Sequence, residues 1–226
     1  MTIFKANDIR GIYDKELNLD ITKKIGVAFI KLLKLKEIVI GYDCRLSSVP
    51  LKNAFISGLN CKVIDIGQVS SPLFYYVVAN YNKKAGVMIT ASHLESQYNG
   101  IKLVKKLAFP LTYETGIKKL ENLTKKIEIT KGKSKIIKRN FINDYIKWIT
   151  KNIKLKKELK IVIDCGNGVM GPIALKTFRK IKCKVLSCLF CNPNGRFPNH
   201  TPNPLLNNTL KKLQKEVKNK KADLGI

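Results

Sequence analysis

The stretch AGVMITASHLESQYNGIKLV, residues 85–104, places two apolar runs around a polar loop that carries Ser92, His93 and, ten residues past the serine, Lys102. The first run, AGVMIT, is continuously apolar rather than alternating. That is the pattern of a strand in a sheet covered on both faces. Working outward, the same kind of run recurs as EIVIGYD (37–43), KVIDIG (62–67), NGIKLV (99–104), LKIVIDC (159–165), KVLSCLF (184–190) and ADLGI (222–226). Helical patterns lie between them. Ile21, Ile25, Ala28, Phe29 and Leu32 share one face of residues 19–33. Phe141, Ile142, Tyr145, Ile146 and Ile149 do the same around Trp148. Strands alternating with helices predict an α/β protein. Two consecutive α/β domains are expected, each a mixed sheet covered by helices. The polar, lysine-rich stretch 124–140 marks the boundary, giving domains over residues 1–135 and 140–226. The final ADLGI reads as a core strand with no loop after it, so the second domain is expected to be truncated at its C-terminus.

Composition narrows the class. The chain has 226 residues and 45% hydrophobic content, enough for a sizeable core. No apolar stretch is long enough to span a bilayer, and no apolar signal region opens the chain. A cytoplasmic location and no membrane partner are expected. The formal charge is +27, from 43 Lys+Arg against 16 Asp+Glu. An anionic partner would account for it, whether nucleic acid, phosphorylated metabolites or a membrane surface. The lysines are scattered through nearly every segment, however, so a solvated basic surface is the preferred reading, and nucleic acid is not the expected partner. Cys188 and Cys191 form a lone C-x-x-C; with Cys183 and His200 a zinc site can be imagined. Because KVLSCLFC reads as a buried strand, core packing of the cysteines is preferred.

Three motifs lie next to strands. GNGVMG (166–171) matches G-x-G-x-x-G between a strand and a helix with Pro172 in its first turn. A dinucleotide site also wants a carboxylate about twenty residues on, and none occurs between Asp164 and Glu216. A tight strand-to-helix turn is the better reading. GYDCRLSS (41–48) closes a strand with Asp43 and Arg45 and offers Ser47 and Ser48 as helix caps. Arg45 would lie near an anion or in a structural ion pair, and the sequence leaves both open. In TASHLESQYNGIK (90–102), Ser92 follows a buried strand and so sits at the sheet's carboxyl edge, where α/β proteins put their ligands. His93 is adjacent and cannot easily reach back to it, and G-x-S-x-G is absent. Phosphoryl transfer through Ser92, with Lys102 steadying charge or exchanging a proton, fits better than acyl transfer. An ordinary polar loop stays open beside it.

Taken together, the motifs resemble the α-D-phosphohexomutase family and its phosphomannomutase/phosphoglucomutase branch. FKANDIRGIY resembles the family's F-K-A-Y-D-I-R-G, and GYDCRLSS its G-x-D-x-R-x-S-S. TASHLESQYNGIK resembles T-A-S-H-N-P-x-x-Y-N-G-x-K, and NPNGRFPNHTPNPL resembles P-D-G-x-F-P-N-H-x-P-x-P. VIDCGNGVMGP resembles the opening of the second domain, and KADLGI leads up to the family's metal loop. YNG (98–100) and FPNH (197–200) resemble this branch rather than the phosphoglucosamine mutases.

The resemblance implies an intramolecular phosphotransferase that interconverts hexose 1-phosphate and hexose 6-phosphate, of mannose or glucose. It would work through a phosphoserine and a bisphosphosugar. Ser92, Lys102 and His93 would be catalytic, and Arg10, Asn7 and Arg45 would lie on the substrate or phosphate side. Mg²⁺ would be held through the phosphate on Ser92, with a hexose 1,6-bisphosphate as activator and phosphorylated hexoses as partners. The sequence departs from the pattern at Leu94-Glu95, where the family has Asn-Pro, and at Asn7, where it has Tyr. Proline restricts the backbone, so the loop is expected to be less rigid. The metal loop D-G-D-x-D-R would follow Ile226, and without it the 226 residues are not expected to turn over substrate alone. A non-catalytic remnant of such an enzyme and a basic nucleic-acid-binding module are the alternative readings.

Overall fold

The computed structural model describes residues 2–129 and 131–226. The chain divides into two compact units: residues up to 91 with 96–140, and residues 92–95 with 141–226. The first contains β1 (Ile9–Ile12), α1 (Leu19–Leu33), β2 (Glu37–Tyr42), α2 (Ser48–Ser57), β3 (Lys62–Gln68), α3 (Ser71–Asn80), β4 (Ala85–Ile89), β5 (Tyr98–Lys105), α4 (Lys118–Lys126) and β6 (Lys135–Lys138). Its six strands lie in the order β1-β5-β4-β2-β3-β6. β4, β2, β3 and β6 run parallel, while β5 is antiparallel to both β4 and β1. The sheet is therefore mixed. All five residues of β4 are buried, as a continuously apolar run requires of a strand packed on both faces.

Helix α1 shows how the sequence sets an element. Asn18 caps it, its side chain accepting from the Ile21 N–H at 2.9 Å. Asp20 in the first turn and Lys31 in the last complement the helix dipole. Thr22, Ile25, Ala28 and Phe29 bury one face, and Phe29 meets Phe55 of α2 edge-on at 6.5 Å.

All seven apolar runs form strands. Two further strands carry no such signal. β1 reads IRGI, with a charge and a glycine in four residues. β6 reads KIIK and falls inside the stretch taken as a boundary. It pairs along β3 at the sheet's edge, and its terminal lysines are of the kind that discourage further pairing.

The second unit contains α5 (Ile142–Thr150), β7 (Leu159–Asp164), α6 (Gly171–Lys180), β8 (Cys183–Leu189), α7 (Lys211–Asn219) and β9 (Leu224–Gly225). Three parallel strands lie in the order β8-β7-β9. Ile161, Ile163 and Cys183 are the buried centre of a small core. Among the described residues, no helix is long and apolar enough to cross a membrane.

Candidate functional site: a serine turn at the end of β4 and a shared carboxylate on β1 and β5

β4 ends at Ile89, but its pairing runs one step further, with the Thr90 N–H donating to the Gly100 carbonyl at 2.9 Å. Thr90 and Ala91 are buried. Ser92 and His93 are exposed, and Ser92 turns the chain with a φ of +58°. A non-glycine residue in the left-handed region is uncommon, and such residues concentrate at functional turns. The serine is thus displayed beyond the carboxyl edge of the sheet. The following residues, Leu94 and Glu95, are half-buried and exposed respectively.

The return into β5 is tightly clamped. The Tyr13 N–H donates to the Gln97 carbonyl at 2.9 Å, and Arg45 Nη1 donates to the Tyr98 carbonyl at 3.1 Å. Asn99, wholly buried, donates from Nδ2 to Ser47 Oγ at 2.8 Å and Ser48 Oγ at 3.0 Å. Ser48 Oγ in turn donates to Asp43 Oδ1 at 2.6 Å. The two serines were read as helix caps; the side chain of Ser47, at the N-cap of α2, makes no capping bond, because it faces Asn99 instead. Of the two readings left open for Arg45, the structure shows the ion pair. Its fully buried guanidinium donates through Nε to Asp43 Oδ2 at 3.2 Å. Burial pushes its pKa down, and Asp43 works against that. At Gly100, an added Cβ would lie 2.6 Å from the Ile9 carbonyl oxygen and 2.9 Å from that of Thr90. Only glycine allows β1 and the end of β4 to approach β5 there.

Arg10 and Lys102 are brought together by a residue the sequence reading did not single out. Asp8 Oδ2 accepts from Arg10 Nη2 at 2.6 Å and from Lys102 Nζ at 3.1 Å. The geometry follows from pairing. Ile9 faces Ile101 and Arg10 faces Gly100, so Asp8, one step before β1, continues the register opposite Lys102. Asp8 and Arg10, two apart, share a face. Arg10 Nε is buried with no hydrogen-bond partner among the described residues. Asn7 lies exposed next to Asp8.

In the second unit, GNGVMG forms a tight turn from β7 into α6, with the Gly166 N–H donating to Asp164 Oδ1 at 2.8 Å. Asp164 also meets His200 Nε2, which lies 3.2 Å from each carboxylate oxygen, and His200 Nδ1 lies 2.9 Å from the Thr201 carbonyl. These residues border a cavity of about 310 Å³ that Pro202, Asn203 and Leu213 also line. The imagined zinc set is not assembled. Both ring nitrogens of His200 are engaged, and Cys183 lies buried at the start of β8, paired with Leu159. Cys188 and Cys191 are joined as a disulfide, and the sulfur beside them is that of Cys165, 3.5 Å from Cys191 Sγ. Burial, with Asp164 adjacent, pushes the Cys165 thiol up to about 11.

A Mg²⁺ site needs several hard oxygen donors. Among the described residues, the group of three or more ligand-type side chains that converges is sulfur only, Cys165, Cys188 and Cys191. These residues do not by themselves make a magnesium site.

The chain matches two family models. "Phosphoglucomutase/phosphomannomutase, alpha/beta/alpha domain I" covers residues 1–131, and domain II of the same family covers residues 143–226. A phosphomannomutase/phosphoglucomutase of Pseudomonas putida is 37% identical over 231 aligned residues, covering all of this chain and 49% of that protein. A phosphomannomutase of Escherichia coli is 36% identical over 241, covering all of this chain and 53% of that protein. A solved phosphoglucomutase/phosphomannomutase family protein from Burkholderia thailandensis superposes with a TM-score of 0.90 at 31% identity, covering all of this chain and 52% of that one. The mixed sheet and the serine-bearing turn that follows β4 both lie within the match to domain I. The chain belongs to the phosphoglucomutase/phosphomannomutase family, and it spans about half the length of the relatives it matches.

Proposed function

We propose that this chain supplies the phosphoserine part of a phosphohexomutase, which interconverts the 1- and 6-phosphates of a hexose, mannose or glucose, through a bisphosphosugar. Residues 1–135 would form the domain that carries the phosphoserine and residues 140–226 the next domain, a division supported by the extents of the two family matches. The observation that carries the reading is Ser92: an exposed hydroxyl on a left-handed turn, just past the carboxyl end of a buried strand, inside the first matched domain. In the reaction, the bond from Ser92 Oγ to phosphorus breaks as a hydroxyl oxygen of the sugar monophosphate attacks. That hydroxyl loses its proton to a base, the role assigned to Lys102, and a proton passes to the departing Ser92 Oγ. In the return step the Ser92 hydroxyl attacks the other phosphate of the bisphosphosugar, and its proton goes through Lys102 to the leaving sugar oxygen.

Arg10 would lie on the anion side through the part of its guanidinium that stays exposed. Asp8 orients both cations. His93 and Asn7 would line the substrate side, as their exposure permits. Arg45 would act through position, holding Tyr98 and with it the exit of the serine loop. Mg²⁺, if bound through the phosphate, would offset its charge, and a hexose 1,6-bisphosphate would load the serine. To test this, the chain is incubated with glucose 1,6-bisphosphate and weighed intact. A gain of one phosphoryl group that is absent in Ser92→Ala supports the reading. A gain of the same size in Ser92→Ala overturns it.

A further inference from the structure

The three sulfurs in the second unit are independent of the phosphoserine chemistry and answer to a different ligand. Cys165 leaves the end of β7, and Cys188 and Cys191 lie at and just beyond the end of β8. Their sulfur atoms all fall within 4.8 Å of one another, and all three residues are half-buried. Sulfurs bound to one zinc ion at about 2.3 Å in tetrahedral geometry stand about 3.8 Å apart. The Cys165–Cys191 separation of 3.5 Å is close to that value.

Besides the Cys188–Cys191 disulfide, backbone hydrogen bonds hold the loops that carry the three cysteines. The Cys165 N–H donates to the Leu189 carbonyl at 3.0 Å and the Asn167 N–H to the Phe190 carbonyl at 2.8 Å. The Asn194 N–H returns to the Asn167 carbonyl at 2.8 Å, and Asn167 Nδ2 donates to the Asn192 carbonyl at 3.0 Å. The two loops are therefore pinned on both sides of the cysteines. Between Cys188 and Cys191, Phe190 adopts a φ of +50°, a conformation that a bulky side chain rarely takes. At Gly171, an added Cβ would lie within 3 Å of the Cys191 Cα, so only glycine lets α6 start against this loop.

We infer that, with the Cys188–Cys191 pair reduced, Cys165, Cys188 and Cys191 form a three-thiolate site for one soft or borderline divalent cation such as Zn²⁺, with the fourth position left to an exogenous donor. Sulfur-only donor sets select such ions over Mg²⁺ and Ca²⁺. His200 is not a ligand, since both its ring nitrogens are engaged. Opening the disulfide takes two electrons from a water-soluble phosphine and two protons from water, whose oxygen ends on the phosphine oxide. Metal binding then releases the thiol protons to the buffer.

The test uses the full 226-residue chain, reduced with a phosphine, desalted without oxygen and titrated with Co²⁺ alone. The expected result is an intense sulfur-to-cobalt charge-transfer band in the near ultraviolet that saturates at one equivalent and is displaced by Zn²⁺. Cys165→Ser should weaken binding by more than about 10-fold and reduce the band. Cys183→Ser, with its sulfur at the far end of β8, should leave both unchanged. Absence of the band in the reduced wild-type chain with its circular dichroism intact overturns the inference. So does a band undiminished, with unchanged affinity, in Cys165→Ser, or one that depends on Cys183.

Discussion

Replacing Asp8 by Asn tests the cluster that ties Lys102 to Arg10. The carboxylate is 9% exposed, and a single oxygen receives both cations, at 2.6 and 3.1 Å. A hydrogen bond to a charged group contributes roughly 1.5–3 kcal/mol. Two of them would set a ceiling of about 6, but several effects lower it. The side chains of Arg10 and Lys102 are 24% and 22% exposed, so water screens part of the attraction. The two donors share one acceptor, and the asparagine oxygen still accepts one of them. What remains is the lost charge and the repulsion between two cations no longer neutralised, about 1–3 kcal/mol. With a urea dependence of about 2 kcal/mol per molar, the unfolding midpoint should fall by roughly 0.5–1.5 M. A double-mutant cycle separates this from a general packing effect. Asp8→Asn, Lys102→Met and the double variant are unfolded in urea, and the coupling should reach about 1 kcal/mol. Coupling below about 0.3 kcal/mol, the scatter of independent sites, would refute the shared-carboxylate account.

Three further outcomes follow from the same unit. Asn99→Ala leaves Ser47 and Ser48 without their buried donor and the Gly100 N–H without Asn99 Oδ1, and should cost about 1–3 kcal/mol in chemical denaturation. Gly100→Ala pushes a methyl group into two carbonyl oxygens; it should destabilise by about 1–3 kcal/mol and deprotect the β1–β5 amides in hydrogen exchange. Glu37 is partly buried, which pushes its pKa up, but hydrogen bonds from Lys62 and Lys83 outweigh that and hold it below its ordinary value. A lowered folded pKa means the stabilisation is present at neutral pH and is lost as pH falls through the carboxylate range. Glu37→Gln should thus melt slightly lower at pH 7, by less than about 1 kcal/mol, and the gap should close in acid; a gap that widens in acid would contradict the sign.

What the sequence made legible was local. The continuous apolar runs around Ser92 are strand signals that need only a few neighbouring residues, and the structure places a strand at each. The features it hid depend on partners distant in the chain. Asp8 becomes meaningful only when β1 pairs with β5 and sets it opposite Lys102, 94 residues away. Arg45 could be read as an anion binder or an ion pair until its fully buried side chain was seen on Asp43. The zinc set imagined from spacing, beside the preferred core packing, took in Cys183 because it is near Cys188 in sequence. A parallel pair brings the same ends of β7 and β8 together, so Cys165 is the neighbour instead. β6 escaped because an edge strand with lysines at both ends has the composition of a linker.

The claim that Ser92 is the phosphoryl carrier is tested most directly by locating the phosphate. After treatment with glucose 1,6-bisphosphate, trypsin releases the peptide Ala85–Lys102, which contains Thr90, Ser92, Ser96 and Tyr98 as competing acceptors. Fragmentation should assign the phosphoryl group to Ser92, the residue displayed on the left-handed turn. A phosphate on Ser96, Thr90 or Tyr98, or on another peptide with this one unmodified, would contradict the account.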